Sequence, residues 1–272
     1  RWVPTLAVAL NLGLLIVVIA GGGLSFAPGE QAELRFGGMV RITPMSEWFR
    51  VFFLVANLGV SWIALRYFKG RALVRSEFFA ISAIITAALM LLVHSNHFVI
   101  LFVALETVSI GLYVLVAYDR NSLYSMEAGI KYLVIGGTNT AILTLGIALL
   151  YGMGGNPHLD GTSADPLAFG NLAGFLEANP HNLIANLGVL AVLASLAFKV
   201  GLVPFQIWIP DVYQGAPTPT TAMLAVSSKA AGIAVLLILF GEGGAFQPVA
   251  GFAGPFLMIA TVASLVYGNV TA

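Results

Sequence analysis

The chain has 272 residues, of which 59% are hydrophobic and 9% charged, and its mean hydropathy is +0.94. Soluble domains carry about 25% charged residues, so this composition could not cover a water-facing surface and the solvent must largely be lipid. Twelve Lys and Arg balance twelve Asp and Glu, which argues against a basic groove for nucleic acid. There is no cysteine, so disulfides and thiolate-held iron–sulfur or zinc sites are excluded from this chain.

About 20 apolar residues cross the hydrocarbon core as a helix. Such runs recur at 2–20, 49–67, 77–93, 98–118, 128–151, 183–205, 220–240 and 249–267. None alternates apolar and polar residues as a barrel strand does. The reading is an all-α, polytopic transmembrane bundle of eight spans. Arg66, Lys69, Arg71 and Arg75 crowd the connection after the second run, which the positive-inside rule places in the cytoplasm, with Arg1 and Arg120 on the same side. The opposite connections at 94–97, 152–181 and 241–247 hold no Lys or Arg. The outer loop 21–48 is the exception, with Arg35 and Arg41 beside Glu30, Glu33 and Glu47, and long loops obey the rule weakly. His94 and His97 read as solvated histidines at a turn. The stretch 152–181 reads as a linker in preference to an outer loop with short structure over the pore region, and 208–219 as a stiff loop with Trp208 and Tyr213 at the interface. A secretory signal over 2–20 is disfavoured, because no A-x-A site follows. The sequence opens on Arg1 and stops at Ala272 inside an apolar run, so the expectation is a piece of a longer protein.

Three charges fall inside expected spans. Glu106 lies eight residues past Phe98, about 12 Å along a helix that must cross about 30 Å. Lys229 lies nine residues past Thr220, and Lys199 reaches the middle third of its run. Each costs roughly 2.5–3.5 kcal/mol on insertion scales before partners are counted. A structural glutamate–lysine pair would account for two of them, but not for the second lysine. A lysine between burial, a like charge and a carboxylate can be switched by moving one neighbour, which is what a proton relay needs. Glu127 and Lys131 are four apart on one helix face, an ordinary exposed pair or part of the site. Pro204, with Gly201 before it, predicts a broken helix beside Lys199, its freed carbonyls lining a cavity.

These residues carry a resemblance. Leu105-Glu106, Leu112 through Leu115, Glu127-Ala128, Lys131-Tyr132, Tyr151-Gly152, Phe198-Lys199, Val203-Pro204-Phe205, Trp208 and the run Pro210 through Pro217 resemble the antiporter-like subunits of respiratory complex I. The match runs from about Phe49 to the end. It implies an antiporter-like fold built from two inverted five-helix units, each a half-channel for protons. The implied division is 1–75 as N-terminal spans and basic loop, 76–240 as the first unit, and 241–272 as the start of the second.

The resemblance also implies roles: Glu106 as the charged partner, Lys199 as the broken-helix lysine, and Lys229 as the lysine towards the centre. Glu127, Lys131 and Pro204 support them. Where the family usually has histidine, this chain has Gln206, which hydrogen-bonds but does not titrate; water would have to replace it on a proton route. The family's exit lysine has no counterpart before Ala272. The implied function is proton translocation coupled to electron transfer from NADH to quinone, through a changing Glu106–Lys199 separation. NADH, FMN, iron–sulfur clusters and quinone belong to partner subunits, and this chain carries no cofactor. Its implied partners are other membrane subunits of that complex, and its implied location is a bacterial inner membrane rather than a mitochondrial one. A multi-subunit cation/proton antiporter shares the fold and the charges. A non-transporting scaffold is the rival of a different class.

Overall fold

The computed structural model describes residues 3–20, 33–70 and 75–271. Arg1, Gly21–Gly23, Glu30, Arg71 and the Arg75 side chain therefore lie outside the described set. Among the described residues, seven helical spans are long and apolar enough to cross a membrane, and Pro4–Ala20 is a shorter apolar helix. In chain order the helices are α1 (Val3–Ala20), α2 (Pro44–Tyr67), α3 (Arg75–Val93), α4 (Phe98–Val116), α5 (Leu123–Gly154), α6 (Phe169–Ala178), α7 (Leu183–Val200), α8 (Trp208–Gly215), α9 (Thr218–Met223), α10 (Lys229–Phe240) and α11 (Ala250–Thr271). A π-helical turn, Leu224–Ser228, joins α9 to α10. The expected helical membrane bundle is thus observed, with seven of the eight expected spans at crossing length and the run expected at 2–20 forming the shorter helix.

The chain divides into two compact units. The first comprises Arg1–Ser95, Ile100–Val134 and Pro210–Ala231. In it α2 packs against α1, α3 and α9. Asn57 donates to Asn11 across buried apolar surroundings at 3.1 Å, which satisfies polar groups that lipid could not. The rings of Phe68, Phe78 and Tyr118 cluster with centroids 5.2–5.9 Å apart, Phe78 meeting each of the others edge to face, and the Tyr118 hydroxyl accepts the Phe78 N–H at 3.1 Å.

The loop expected at 21–48 is structured where described. Two antiparallel strands, β1 (Glu33–Arg35) and β2 (Val40–Ile42), pair Glu33 with Ile42. Helix α2 then starts at Pro44, earlier than position 49. Thr43 and Ser46 cap each other's backbone N–H reciprocally, and proline at the first helical position needs no donor. Its first turn carries Glu47, 3% exposed, with Oε1 3.0 Å from His94 Nε2 and Oε2 2.5 Å from Arg50 Nη2. His94 is therefore a buried, bonded side chain rather than a solvated one. The Arg41 N–H also donates to the His94 carbonyl at 2.8 Å.

The second unit comprises Asn96–Val99, Ile135–Ile209 and Gly232–Ala272. His97 is also buried, its Nε2 2.9 Å from Asp165. The stretch read as a linker at 152–181 instead folds. It contains α6, whose buried face of Phe169, Leu172, Phe175 and Leu176 packs against the 3-10 turn Gln247–Val249. Phe98 meets Phe169 and Phe246 there, at 5.1 and 5.8 Å. Helices α5 and α7 approach closely: a Cβ on Gly146 would lie 2.9 Å from the Gly188 carbonyl oxygen. Small residues let two backbones meet where lipid gives no hydrophobic drive.

Candidate functional site

The break beside Lys199 is present. Helix α7 ends at Val200, and Gly201 takes the left-handed conformation at φ 83°. The Leu202 N–H returns to the Ala197 carbonyl at 2.9 Å and the Gly201 N–H to Phe198 at 3.1 Å, the two bonds of a glycine-closed helix end. Trp208 Nε1 donates to the Phe198 carbonyl at 3.2 Å, and the Val203 N–H donates to Ser264 Oγ at 2.8 Å. The break is held by side chains rather than left open to lipid. Trp208 is 2% exposed and so is not an interfacial belt residue. The segment read as a stiff returning loop is the helix α8; Pro210 sits in its first turn, where proline's missing N–H costs nothing.

Lys199 is the penultimate residue of α7, near the middle of the span Leu183–Gly215, and half-buried in the second unit. Pro204 is exposed, and Gln206 follows it in a 3-10 turn, Phe205–Ile207. Gln206 Oε1 is buried, with no hydrogen-bond partner among the described residues.

Glu106 and Lys229 belong to the first unit. Glu106 lies midway along α4, with its Oε1 shielded from the surface. Tyr132 of α5 is fully packed, within Coulombic reach of Glu106, Tyr113 and Tyr213, and its ring meets that of Tyr113 edge-on at 4.8 Å. Lys229 opens α10 straight after the π turn, halfway along Thr218–Phe240, its Nζ likewise shielded. Single π turns widen a helix and recur at functional sites. No sequence feature announced this one. Thr220 donates to the Leu115 carbonyl at 3.0 Å, tying the helix that leads to Lys229 to the helix of Glu106.

Glu127 and Lys131 form the expected i,i+4 pair at 2.8 Å, but α5 starts earlier than position 128 and both are exposed on its first turns. Lys131 also reaches Asp211 of α8 at 2.7 Å, 80 positions away. Asp211 was not among the expected site residues. Gly215, at the end of the same helix, presses against α5: a Cβ there would sit 2.5 Å from the Tyr124 carbonyl oxygen. The lysine clasps the helix that follows the break. Asp211→Asn is expected to loosen α8 from α5 while the fold survives, because Lys131 then keeps only Glu127 on its own helix. Hydrogen exchange read by mass spectrometry on full-length protein checks this: a several-fold loss of protection in α8 is expected, and unchanged protection is the contrary result.

The fold and its intramembrane charges define a class: a helical membrane protein with a broken helix and acidic and basic groups at mid-span. The chain belongs to the family described as "NADH:quinone oxidoreductase/Mrp antiporter, TM", which residues 95–272 match. Among curated relatives, NADH-quinone oxidoreductase subunit N 1 of Opitutus terrae is 50% identical over 237 residues, covering 87% of this chain and 46% of that protein. NADH-quinone oxidoreductase subunit N of Heliobacterium modesticaldum is 37% identical over 274 residues, covering 100% of this chain and 53% of the relative. The chain thus spans about half the length of the curated relatives it matches. A chain of respiratory complex I from Thermus thermophilus superposes with a TM-score of 0.66 at 28% identity, over 86% of this chain and 47% of that one. A chain of the Mrp complex from Dietzia shares the fold at a TM-score of 0.66 and 19% identity, over 88% of this chain and 44% of the other.

Proposed function

We propose that this chain is part of subunit N of a proton-translocating NADH:quinone oxidoreductase, working in a bacterial inner membrane beside other membrane subunits. Glu106, Lys199 and Lys229 carry the protons, with Glu127, Lys131, Pro204 and Gln206 in support. NADH oxidation and quinone reduction take place in partner subunits, which hold the flavin, the clusters and the quinone. The observation that carries the reading is the conjunction of three mid-span charges with a helix broken two residues after one of them, in a chain 50% identical to a subunit of that name.

A buried lysine is a usable proton carrier because its affinity follows its surroundings: desolvation and like charges lower it, a carboxylate raises it. Electron transfer elsewhere in the complex alters those surroundings, and each tenfold change in proton affinity corresponds to about 1.4 kcal/mol. Gln206 cannot titrate, so in this reading it orients water next to the break instead of passing the proton itself. Its buried, unsatisfied Oε1 supplies an acceptor for such a water. The test is the number of protons moved per electron pair by the complex with full-length subunit, wild type against Glu106→Gln, in sodium-free medium. Pumping in wild type without sodium supports this reading. Exchange that demands sodium and proceeds without quinone chemistry would assign the chain to a cation/proton antiporter instead.

A further inference from the structure

A cleft of about 750 Å³ opens in the first unit between α3, α4 and α5. Its walls are apolar: Ile110 and Val114 of α4 face Ile130 and Leu133 of α5, each about half exposed or more. Its rim is polar, with Glu77 from the first turn of α3 and Arg120 from the turn after α4. The two charges form no ion pair with each other among the described residues, and both act on the Tyr118 hydroxyl, which also lines the cleft. Burial chiefly raises the pKa of that phenol, with Glu77 pushing the same way and the Phe78 N–H and Arg120 opposing.

The dimensions fit one class of occupant. Along α5, Leu133 lies ten residues, about 15 Å of helix, from the helix start at Leu123, next to Asn121 of the cleft rim. That is half of the roughly 30 Å hydrocarbon core, one leaflet deep. The cleft is therefore apolar over the depth of an acyl chain and charged where a headgroup sits. The charges are of both signs and separated, which matches a phosphodiester beside a primary ammonium. Basic pockets between helices at one membrane face are a known way to hold lipid headgroups.

We infer that this cleft is a binding site for a phospholipid of the phosphatidylethanolamine type, its phosphate on Arg120, its ammonium on Glu77, and one acyl chain along Ile110, Val114, Ile130 and Leu133. Tyr113 forms part of the lining, and its ring packs on Tyr132 beside Glu106. The acyl chain thus seals the lipid side of the Glu106 cluster against water. The site stands whether or not those charges move protons.

The experiment is retention of lipid by the full-length subunit in its complex, stripped in detergent, re-exposed to vesicles of one phospholipid, and read by native mass spectrometry. Retention of phosphatidylethanolamine is expected to exceed that of phosphatidylcholine, which has no ammonium N–H, and of phosphatidylglycerol, which has no ammonium. Arg120→Ala is expected to reduce it about tenfold, the size of one lost charge-assisted hydrogen bond. Val114→Trp, which fills the cleft without entering the core, should do the same, and Val103→Trp, exposed on α4 outside the cleft, should not. Equal retention of the three lipids, or retention unchanged in both Arg120→Ala and Val114→Trp, overturns the assignment. So does a photocrosslinker at Ile130 that captures a neighbouring polypeptide in place of lipid.

Discussion

Lys229→Leu in the full-length subunit is expected to abolish coupled pumping while the complex assembles at wild-type levels or better. The lysine stands halfway along its span with its ammonium shielded. A charge at that depth costs roughly 2.5–3.5 kcal/mol on insertion scales, and leucine removes the cost. On the proposed reading Lys229 is retained against stability, and its loss appears in transport alone. A scaffold account expects the reverse. If Lys229 only locked helices together, removing it would strand its partners in a low-dielectric interior at about 3–5 kcal/mol, and assembly would fall. Pumping in reconstituted vesicles, set against the amount of assembled complex, separates the two.

The second large effect is expected at the break. Lys199→Ala should depress pumping and coupled turnover together by at least tenfold, about 1.4 kcal/mol or more in the barrier. Gly201, Trp208 and Ser264 hold the break through bonds made by groups other than the Lys199 side chain, so the helix end should survive the substitution. Lys199→Arg should keep the charge but release its proton far less readily, and so resemble alanine in pumping. A structural role predicts rescue by arginine. Wild-type rates in Lys199→Arg together with losses in Lys199→Ala would assign the residue to charge pairing.

The helices were legible because lipid imposes one demand, a long apolar run with every backbone group bonded internally, and local sequence shows it. The break near Pro204 was legible for the same reason, since proline and glycine act on their own turn. The same rule misled at Trp208–Gly215, where Pro210 and Gly215 read as a loop. Proline is tolerated in a first turn, and Gly215 serves a close approach to α5. The start of α2 was displaced because the apolar run begins after its cap, while Glu47 in the first turn read as a loop charge. Partnerships across the chain were hidden altogether. Nothing local links Lys131 to Asp211 or Glu47 to His94, and only the folded bundle brings them within 3.0 Å. The π turn before Lys229 left no sequence trace, for Leu224–Ser228 is ordinary apolar helix in composition.

The measurement that bears most directly on the proposed role is the proton-to-electron ratio of reconstituted complex carrying full-length Glu106→Gln, compared with wild type in the same vesicles. Glutamine keeps the size and hydrogen-bonding capacity of the side chain and removes its proton, so packing around Tyr113 and Tyr132 is preserved. A lowered ratio in a fully assembled complex is the predicted result and places Glu106 on the path. An unchanged ratio with unchanged turnover would contradict the account and reduce these intramembrane charges to structural pairs.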